Sequence, residues 1–496
     1  MSIQQQQLLT ACSTNNIDLL KQLLTDPTID LNQELDDDGY TPLHIACENG
    51  SIEIVKLLLN DSRVDVNEGN GRGYTAFWIV CLKGYVEIVK LLLNNERVDV
   101  HKRNILKDTP PILIACFQGY VEIVKLFLND QRVDINNAGD GTRTPFYNAC
   151  LKGHIELVKL LLSNNRVDPN VTTNEGKTPF FGACEYGQID IVKLLLNDKR
   201  IHINESNEDG ETPFYIACGN GHIDVVKVLL NDPRINVSKP NEYDGQTPFS
   251  IACQNRQIEV VKVLLKDERI DINEPNDQGR TALSFACDIG DAEIVNVLLN
   301  DDRIEINRAN DYNAATPFLI ACYKGYLEVV NVLLKDQRID VNKQNDLGET
   351  PLFAASYHGQ IEIVKVLLND KRVDINKPNN EDEKPFYSAC QNGSLEIVKS
   401  FLAIREINLT ENHLHGKSAI DAARENAKRR GDMFLETKEE FEATIKKYKD
   451  TVKILESFQK NPTETRAKLR EQLNLFGKVL FIFLFFEFFL KNFSNS

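Results

Sequence analysis

The 496 residues contain no CxxC pair, no HExxH, no GxSxG and no glycine loop of the kind that cradles phosphate. The first two absences remove the short-range metal and redox motifs, the third the nucleophile elbow of many hydrolases, and the fourth the helix-borne phosphate site. Positive charge is short as well: 57 Lys and Arg stand against 73 Asp and Glu, a net charge of −16. That balance argues against DNA or RNA as the main partner, because such binders need a basic surface to release counterions. The opening MSIQQQQLLT has neither an early charge nor an apolar run. No secretory leader is therefore expected, and the expected location is the cytoplasm, with the nucleus also open.

What fills the chain instead is a repeat. Residues 212–237, TPFYIACGNGHIDVVKVLLNDPRINV, return as close copies every 34 or 35 residues over more than four fifths of the length. Thr212 suits an N-cap and Pro213 a first helical turn, which tolerates a missing N–H. Gly221 is expected to stop that helix. Phe214, Ala217 and Cys218 lie three and four apart and share one face, the small Ala and Cys letting a neighbouring helix approach. A second helix follows, apolar nearly all round through Ile223, Val225, Val226, Leu229 and Leu230, with Asp224 and Lys227 at its wet edge. Residues 234–237 read as a short extended piece and Asp209-Gly210 as a tight turn. One such unit cannot fold alone. Burial of about eight large apolar side chains at roughly 1.5–3 kcal/mol each opposes roughly 1–2 kcal/mol of backbone entropy per residue, so stacked copies must supply the rest, and one elongated domain is expected.

Thr41-Pro42-Leu43-His44-Ile45-Ala46 and Gly153-His154-Ile155-Glu156-Leu157-Val158 carry a resemblance: the pattern is similar to the ankyrin repeat, whose signature includes T-P-L-H-x-A at a period near 33. The resemblance implies an all-α repeat solenoid of stacked helix-turn-helix units with short hairpin loops. It also implies a non-enzymatic role in holding other proteins. The loop after the second helix, as in residues 369–376, is one residue longer than the family's usual loop. Residues 1–40 read as an N-terminal capping unit without Thr-Pro. Residues 41–417 hold about eleven inner units, and 418–434 a degenerate last one.

All eleven cysteines fall in register, from Cys12 and Cys47 to Cys322 and Cys390, and Ser356 fills the same slot in one unit. The slot asks for a small buried side chain rather than for thiol chemistry. His44, His154, His222 and His358 also sit at repeat-defined positions and read as structural. His413 and His415 share a turn, but two histidines alone are a weak zinc signal. No metal and no cofactor is expected. Arg63, Arg97, Arg132, Arg166, Arg200, Arg234, Arg269, Arg303, Arg338 and Arg372 recur at the repeat period beside acidic or Asn residues, which reads as a ladder of loop ion pairs. Arg256 stands where most units have the helix-ending glycine, so strain and local softness are expected near 247–280.

Beyond residue 431 the period is lost. Phe441, Ile445, Tyr448, Val452, Leu455 and Phe458 recur at three and four, giving an amphipathic helix, and Asn461-Pro462-Thr463-Glu464 opens another. Residues 435–475 are thus expected to form a helical hairpin, either capping the stack or meeting a partner. The tail, 476–496, is rich in Phe. Its apolar core from Val479 to Leu490 would span only about 18 Å as a helix, short of the roughly 30 Å of a bilayer core. A membrane-inserting tail, a packed helix and a gene-model artefact all remain open for it.

The expected function is a scaffold that binds a protein partner on the first-helix and hairpin face, as a monomer. A membrane-tethered adaptor anchored by the tail is the alternative. Core slots repeat from copy to copy, whereas the residues just after the Cys slot and before the Thr slot vary, so packing does not dictate them. Large choices at these slots, Tyr40, Tyr74, Leu82, Phe117, Leu151, Tyr186, Tyr323 and Tyr357, are the expected partner-binding residues, unless they pack against neighbouring units instead. In the ankyrin family the matching positions line the recognition groove.

Overall fold

Thr212 closes the first turn of its helix: its hydroxyl accepts the Tyr215 N–H at 3.1 Å, and Pro213 follows at the first helical position. The same side-chain cap recurs at Thr75, Thr144, Thr178, Thr247, Thr281, Thr316 and Thr350. The computed structural model describes residues 3–102, 109–139, 143–405, 407, 418–429 and 438–473. Among these residues there are 27 helices and no strand; the first 24 alternate as first and second helices of successive units, and the last three follow them. The extended piece expected after each second helix is absent; Gly69 and Thr75 form one isolated bridge. Successive hairpin tips are joined instead by single backbone bonds, such as Asp277 N–H to Asp244 O at 2.9 Å and Asp311 N–H to Gln278 O at 2.8 Å.

The first helix of the archetypal unit, Pro213–Gly219, ends at Asn220, and Gly221 turns the chain at φ 76°. In other units, as at Gly84 and Gly119, the left-handed glycine is itself the cap. Conformation is only half of the requirement. A Cβ on Gly84 would lie 2.8 Å from the Tyr120 ring and one on Gly119 2.7 Å from His154, because the residue opening the next unit's second helix packs there. Arg256 takes this position at φ 61°. The guanidinium crosses to the next unit, donating to Ile289 O at 2.5 Å and pairing with Asp291 at 3.3 Å.

Contacts divide the chain into two compact units, Met1–Tyr243 and Asp244–Ser496. A stack whose copies touch only their neighbours offers no wider contact to oppose such a division. In the first unit each first helix packs on the next first helix around Phe77, Phe146, Phe180 and Phe214, all fully buried. In the second unit Phe249, Phe318 and Phe353 repeat that role. Every cysteine is buried and unpaired. Burial pushes the thiols far above their usual range, Cys12 to about 12. Ser356 is equally enclosed and returns its hydroxyl to Leu352 O at 2.7 Å.

The arginine ladder does more than pair ions. Arg372 binds Asp370 at 2.8 Å within its own loop, and the same guanidinium donates to Leu334 O at 2.8 Å and Asp336 O at 3.3 Å in the preceding copy. Arg63 reaches Leu24 O, Arg97 Leu59 O, Arg132 Leu93 O, Arg200 Leu162 O and Arg303 Leu265 O in the same way. These acceptors are C-terminal carbonyls of second helices, which have no intrahelical donor. A second, asparagine ladder runs beside it. Asn342 donates to Arg372 O at 2.7 Å and accepts the Asp374 N–H at 2.8 Å, and Asn32, Asn67, Asn136, Asn170, Asn204, Asn273 and Asn307 do the same one copy apart.

The helices Lys438–Lys460 and Pro462–Gln472 pack against Leu395–Ile404, and the longer one also against Ala419–Arg429. Tyr448, Leu455, Phe458 and Leu469 are buried there. The Tyr448 ring lies 2.9 Å from where a Cβ on Gly393 would be, as Tyr120 does at Gly84. Arg466 and Arg470 donate to Leu402 O and Ala403 O at 3.1 and 2.8 Å, taking the place of a ladder arginine. Asn461 caps the second helix by accepting the Glu464 N–H at 3.3 Å. The side chains of Phe441 and Ile445, and residues 476–496 with His413 and His415, lie outside the described residues.

Arg372→Met should lower stability by about 1–2 kcal/mol, since it leaves a carboxylate and a helix-end carbonyl without their donor. Lysine at that position should restore less than half, because an ammonium cannot serve both acceptors with a fixed fork; urea unfolding of the full chain reads both. Native-state thiol labelling should be slow at every inner cysteine and become fast only in denaturant.

Candidate functional site

Pro42, Leu43, Ala46 and Cys47 turn the inner side of the second repeat's first helix into the core, so its hairpin and the end of that helix are left to face outward. Tyr40 packs edge-on to His44 at 5.7 Å. His44 Nδ1 accepts the Thr41 N–H at 3.1 Å, which puts the ring proton on Nε2, donated to Tyr74 O at 2.8 Å in the next hairpin. Burial of this imidazole depresses its pKa to about 4, the hydrogen bond to Tyr74 only partly opposing it. Tyr74 is half-buried and stacked on Trp78 at 4.2 Å.

The other expected site residues divide by exposure. Leu82 and Phe117 are half-buried, with Lys152 Nζ 4.2 Å from the centre of the Phe117 ring. Leu151 is only 4% exposed, so it belongs to the packed interior and offers no free side chain. Tyr186, Tyr323 and Tyr357 stand out at 49%, 45% and 47%. Tyr323 and Tyr357 come together through His358, whose ring lies 4.2 Å from one and 5.0 Å from the other. Among the described residues no aromatic contact links Tyr74, Phe117 and Tyr186.

Two grooves open on this face. In the first unit Tyr186 borders a cavity of about 410 Å³ with Tyr147, Glu185, Lys177 and Arg143. Glu185 accepts from the Tyr147 hydroxyl at 3.3 Å and pairs with Lys177 at 3.0 Å, and burial beside that carboxylate pushes the Tyr147 phenol well up. In the second unit a cavity of about 490 Å³ has Ala315, Leu319 and Ile320 as its floor and Tyr312, Tyr323 and Leu347 at its rim. Tyr312 and Leu347 are 84% and 62% exposed. They sit at hairpin tips, as does Tyr243, and were not among the expected site residues; comparing copies at the tip, where Asp38, Arg72, Glu175, Asp209 and Gln278 stand, would have marked that slot as variable too. No group of three or more His, Cys, Asp or Glu among the described residues is arranged to hold a metal ion.

An array of helical units that repeats its core while outward residues vary has the form of an interaction module. The family model for ankyrin repeats, in three copies, matches residues 8–104, 112–207, 199–276, 268–345 and 318–413, and the chain belongs to the ankyrin repeat family. Among solved structures it is similar to the ankyrin repeat domain of Bcl-3, described as a unique member of the IkappaB protein family. The identity there is 22% and the TM-score 0.40, over 43% of this chain and 95% of that one. No curated protein matches.

His44 generates a pH dependence. Its pKa falls from the ordinary imidazole range in the unfolded chain to about 4 in the fold. Its neutral form is therefore the folded form, and its contribution is complete above about pH 6.5 and lost as pH drops toward 4. Between pH 7 and pH 5 the loss should be about 2 kcal/mol. Amide exchange of the N-terminal units should show it, and His44→Gln should abolish that part of the pH slope.

Proposed function

We propose that the chain is a non-enzymatic scaffold that holds a protein partner on the face made by its first helices and hairpin tips. One observation carries this reading. Of nine large hydrophobic side chains exposed among the described residues, six lie at hairpin tips or at the ends of first helices: Tyr186, Tyr243, Tyr312, Tyr323, Leu347 and Tyr357. Aromatic side chains presented on a rigid base lose little conformational entropy on binding and often anchor interfaces. Eleven unpaired cysteines support an intracellular setting. No described helix is long and apolar enough to cross a membrane, and the tail on which the membrane-tethered reading depends lies outside the described residues.

A photo-crosslinking amino acid placed in the full chain at Tyr186, Tyr323 or Tyr357 should yield protein adducts in cells. The same group at Glu122, Glu156 or Glu328, exposed on second helices, should yield few. Adducts confined to the second-helix positions, or none from the tyrosine positions, would overturn the assignment of the face.

A further inference from the structure

The hairpins that flank the groove of the second unit carry a row of carboxylates. Asp277, Asp311 and Asp346 occupy the same place in three consecutive hairpins; each is exposed and adjoins a residue that lines the groove, Gln278, Tyr312 and Leu347. No ion pair engages them among the described residues, whereas the cations nearest the groove, Arg280 and Lys324, are both taken by Asp288 at 3.0 and 3.2 Å. Glu349 places a carboxylate in the lining itself. The tips cannot spread apart freely, since backbone bonds tie Asp311 to Gln278 at 2.8 Å, Asp346 to Asn313 at 2.9 Å and Asn380 to Leu347 at 3.0 Å. Beside this acidic row lies the apolar floor of Ala315, Leu319 and Ile320, overhung by Tyr312 and Leu347.

We propose that this groove holds a basic, extended segment of a partner protein, with Lys or Arg side chains along Asp277, Asp311 and Asp346 and one apolar side chain seated between Tyr312 and Leu347. The proposal rests on the scaffold reading and specifies the partner's chemistry. Charge complementarity selects the sign: a segment of net negative charge would meet three unneutralised carboxylates, and like charges across an interface are strongly disfavoured. Spacing selects the conformation. Helices packed side by side stand about 8–10 Å apart, and a polyproline-II segment advances about 9 Å per turn of three residues. Cations at every third residue of such a segment would therefore meet successive tips, and a side chain between two of them would fall toward the floor. An α-helical segment rises only about 5.4 Å per turn, so only every second turn would come near a tip.

Three labelled peptides of about twelve residues test this against the full chain by fluorescence anisotropy at low ionic strength: lysine at every third position with a central leucine, its glutamate counterpart, and the lysine peptide with serine at the centre. The lysine-leucine peptide should bind, and salt should weaken it. The glutamate peptide should not bind, and the serine peptide should bind about tenfold more weakly. Asp277→Asn with Asp311→Asn and Asp346→Asn should weaken the first peptide by about tenfold or more. Glu259→Gln with Glu293→Gln and Glu328→Gln, an equal charge change on second helices, should change it less than twofold. Leu347→Ser should bring the leucine peptide close to the serine one, and helical circular dichroism should be unchanged for every variant. Equal binding of the glutamate peptide, equal weakening by the two triple variants, or indifference to the central residue would each overturn the proposal. Adducts at Tyr323 together with any of these results would leave the scaffold reading standing; peptide binding as expected without such adducts would do the reverse.

Discussion

Within each compact unit, second helices end on carbonyls that an arginine of the following copy satisfies, as Arg97 does for Leu59 O and Arg372 for Leu334 O. The donor is a guanidinium, and its planar fork serves two acceptors at once. In Arg372 one edge grips Asp370 while the same group caps Leu334 O and Asp336 O of the copy before. The loop carboxylate thus orients the arginine, and the arginine in turn ends its neighbour's helix. That is why the Asp carboxyls are held below their usual range by the arginine hydrogen bond, as at Asp336 and Asp370. The asparagine ladder repeats the logic with a neutral amide, which both donates and accepts across the same junction. Bonds of this type contribute about 1 kcal/mol each, and their regular recurrence fixes how one copy sits on the next.

A stack closed by its successor has a problem at its final copy, because no further arginine follows. Arg405 still serves Leu368 O and Asp370 O, so the open carbonyls are those of Leu395–Ile404. Helix Pro462–Gln472 brings Arg466 and Arg470 to Leu402 O and Ala403 O. Meanwhile Lys438–Lys460 lays Tyr448 over Gly393. A segment without the repeat pattern therefore reproduces the two contacts that a further copy would have made. The amphipathic face seen in the sequence is used for that contact, with Leu455 and Phe458 buried.

How much of this the sequence discloses follows from what each contact depends on. Thr caps, proline starts, the buried Phe-Ala-Cys face and the left-handed glycine are local or periodic, and their residue types announce them. Arg256 was legible for the same reason, as a side chain in a slot that needs φ above zero. The arginine ladder was visible as a period, yet its acceptors were not: a backbone carbonyl about one copy upstream has no residue type to betray it. Gly84 looked like a helix stop, and the second demand on it, room for the Tyr120 ring, involves a residue of the next unit. Leu82, Phe117 and Leu151 share a slot, but Leu151 alone is enclosed. Burial there is decided by the neighbouring copy, so variability within the chain could mark the slot without telling which occupant is free.

That distinction also explains which positions are free to vary. Second helices are committed at both ends, to the arginine of the next copy and to the glycine of the last, and their inner sides to the core. First helices are buried almost throughout, leaving the residues after the Cys slot. Hairpin tips hold one another chiefly through the backbone, as Asp346 N–H does with Asn313 O, with side-chain additions such as Asn380 to Asp346 O and Arg72 to Asp38, and the exposed side chains of Tyr312 and Leu347 are not what ties one tip to the next. A position whose backbone is fixed while its side chain is idle can change identity at little cost to the fold. Tyr312 and Leu347 occupy such positions, flanked by Asp311 and Asp346. The features that make the tips uninformative about the fold are the ones that leave their exposed side chains free to vary.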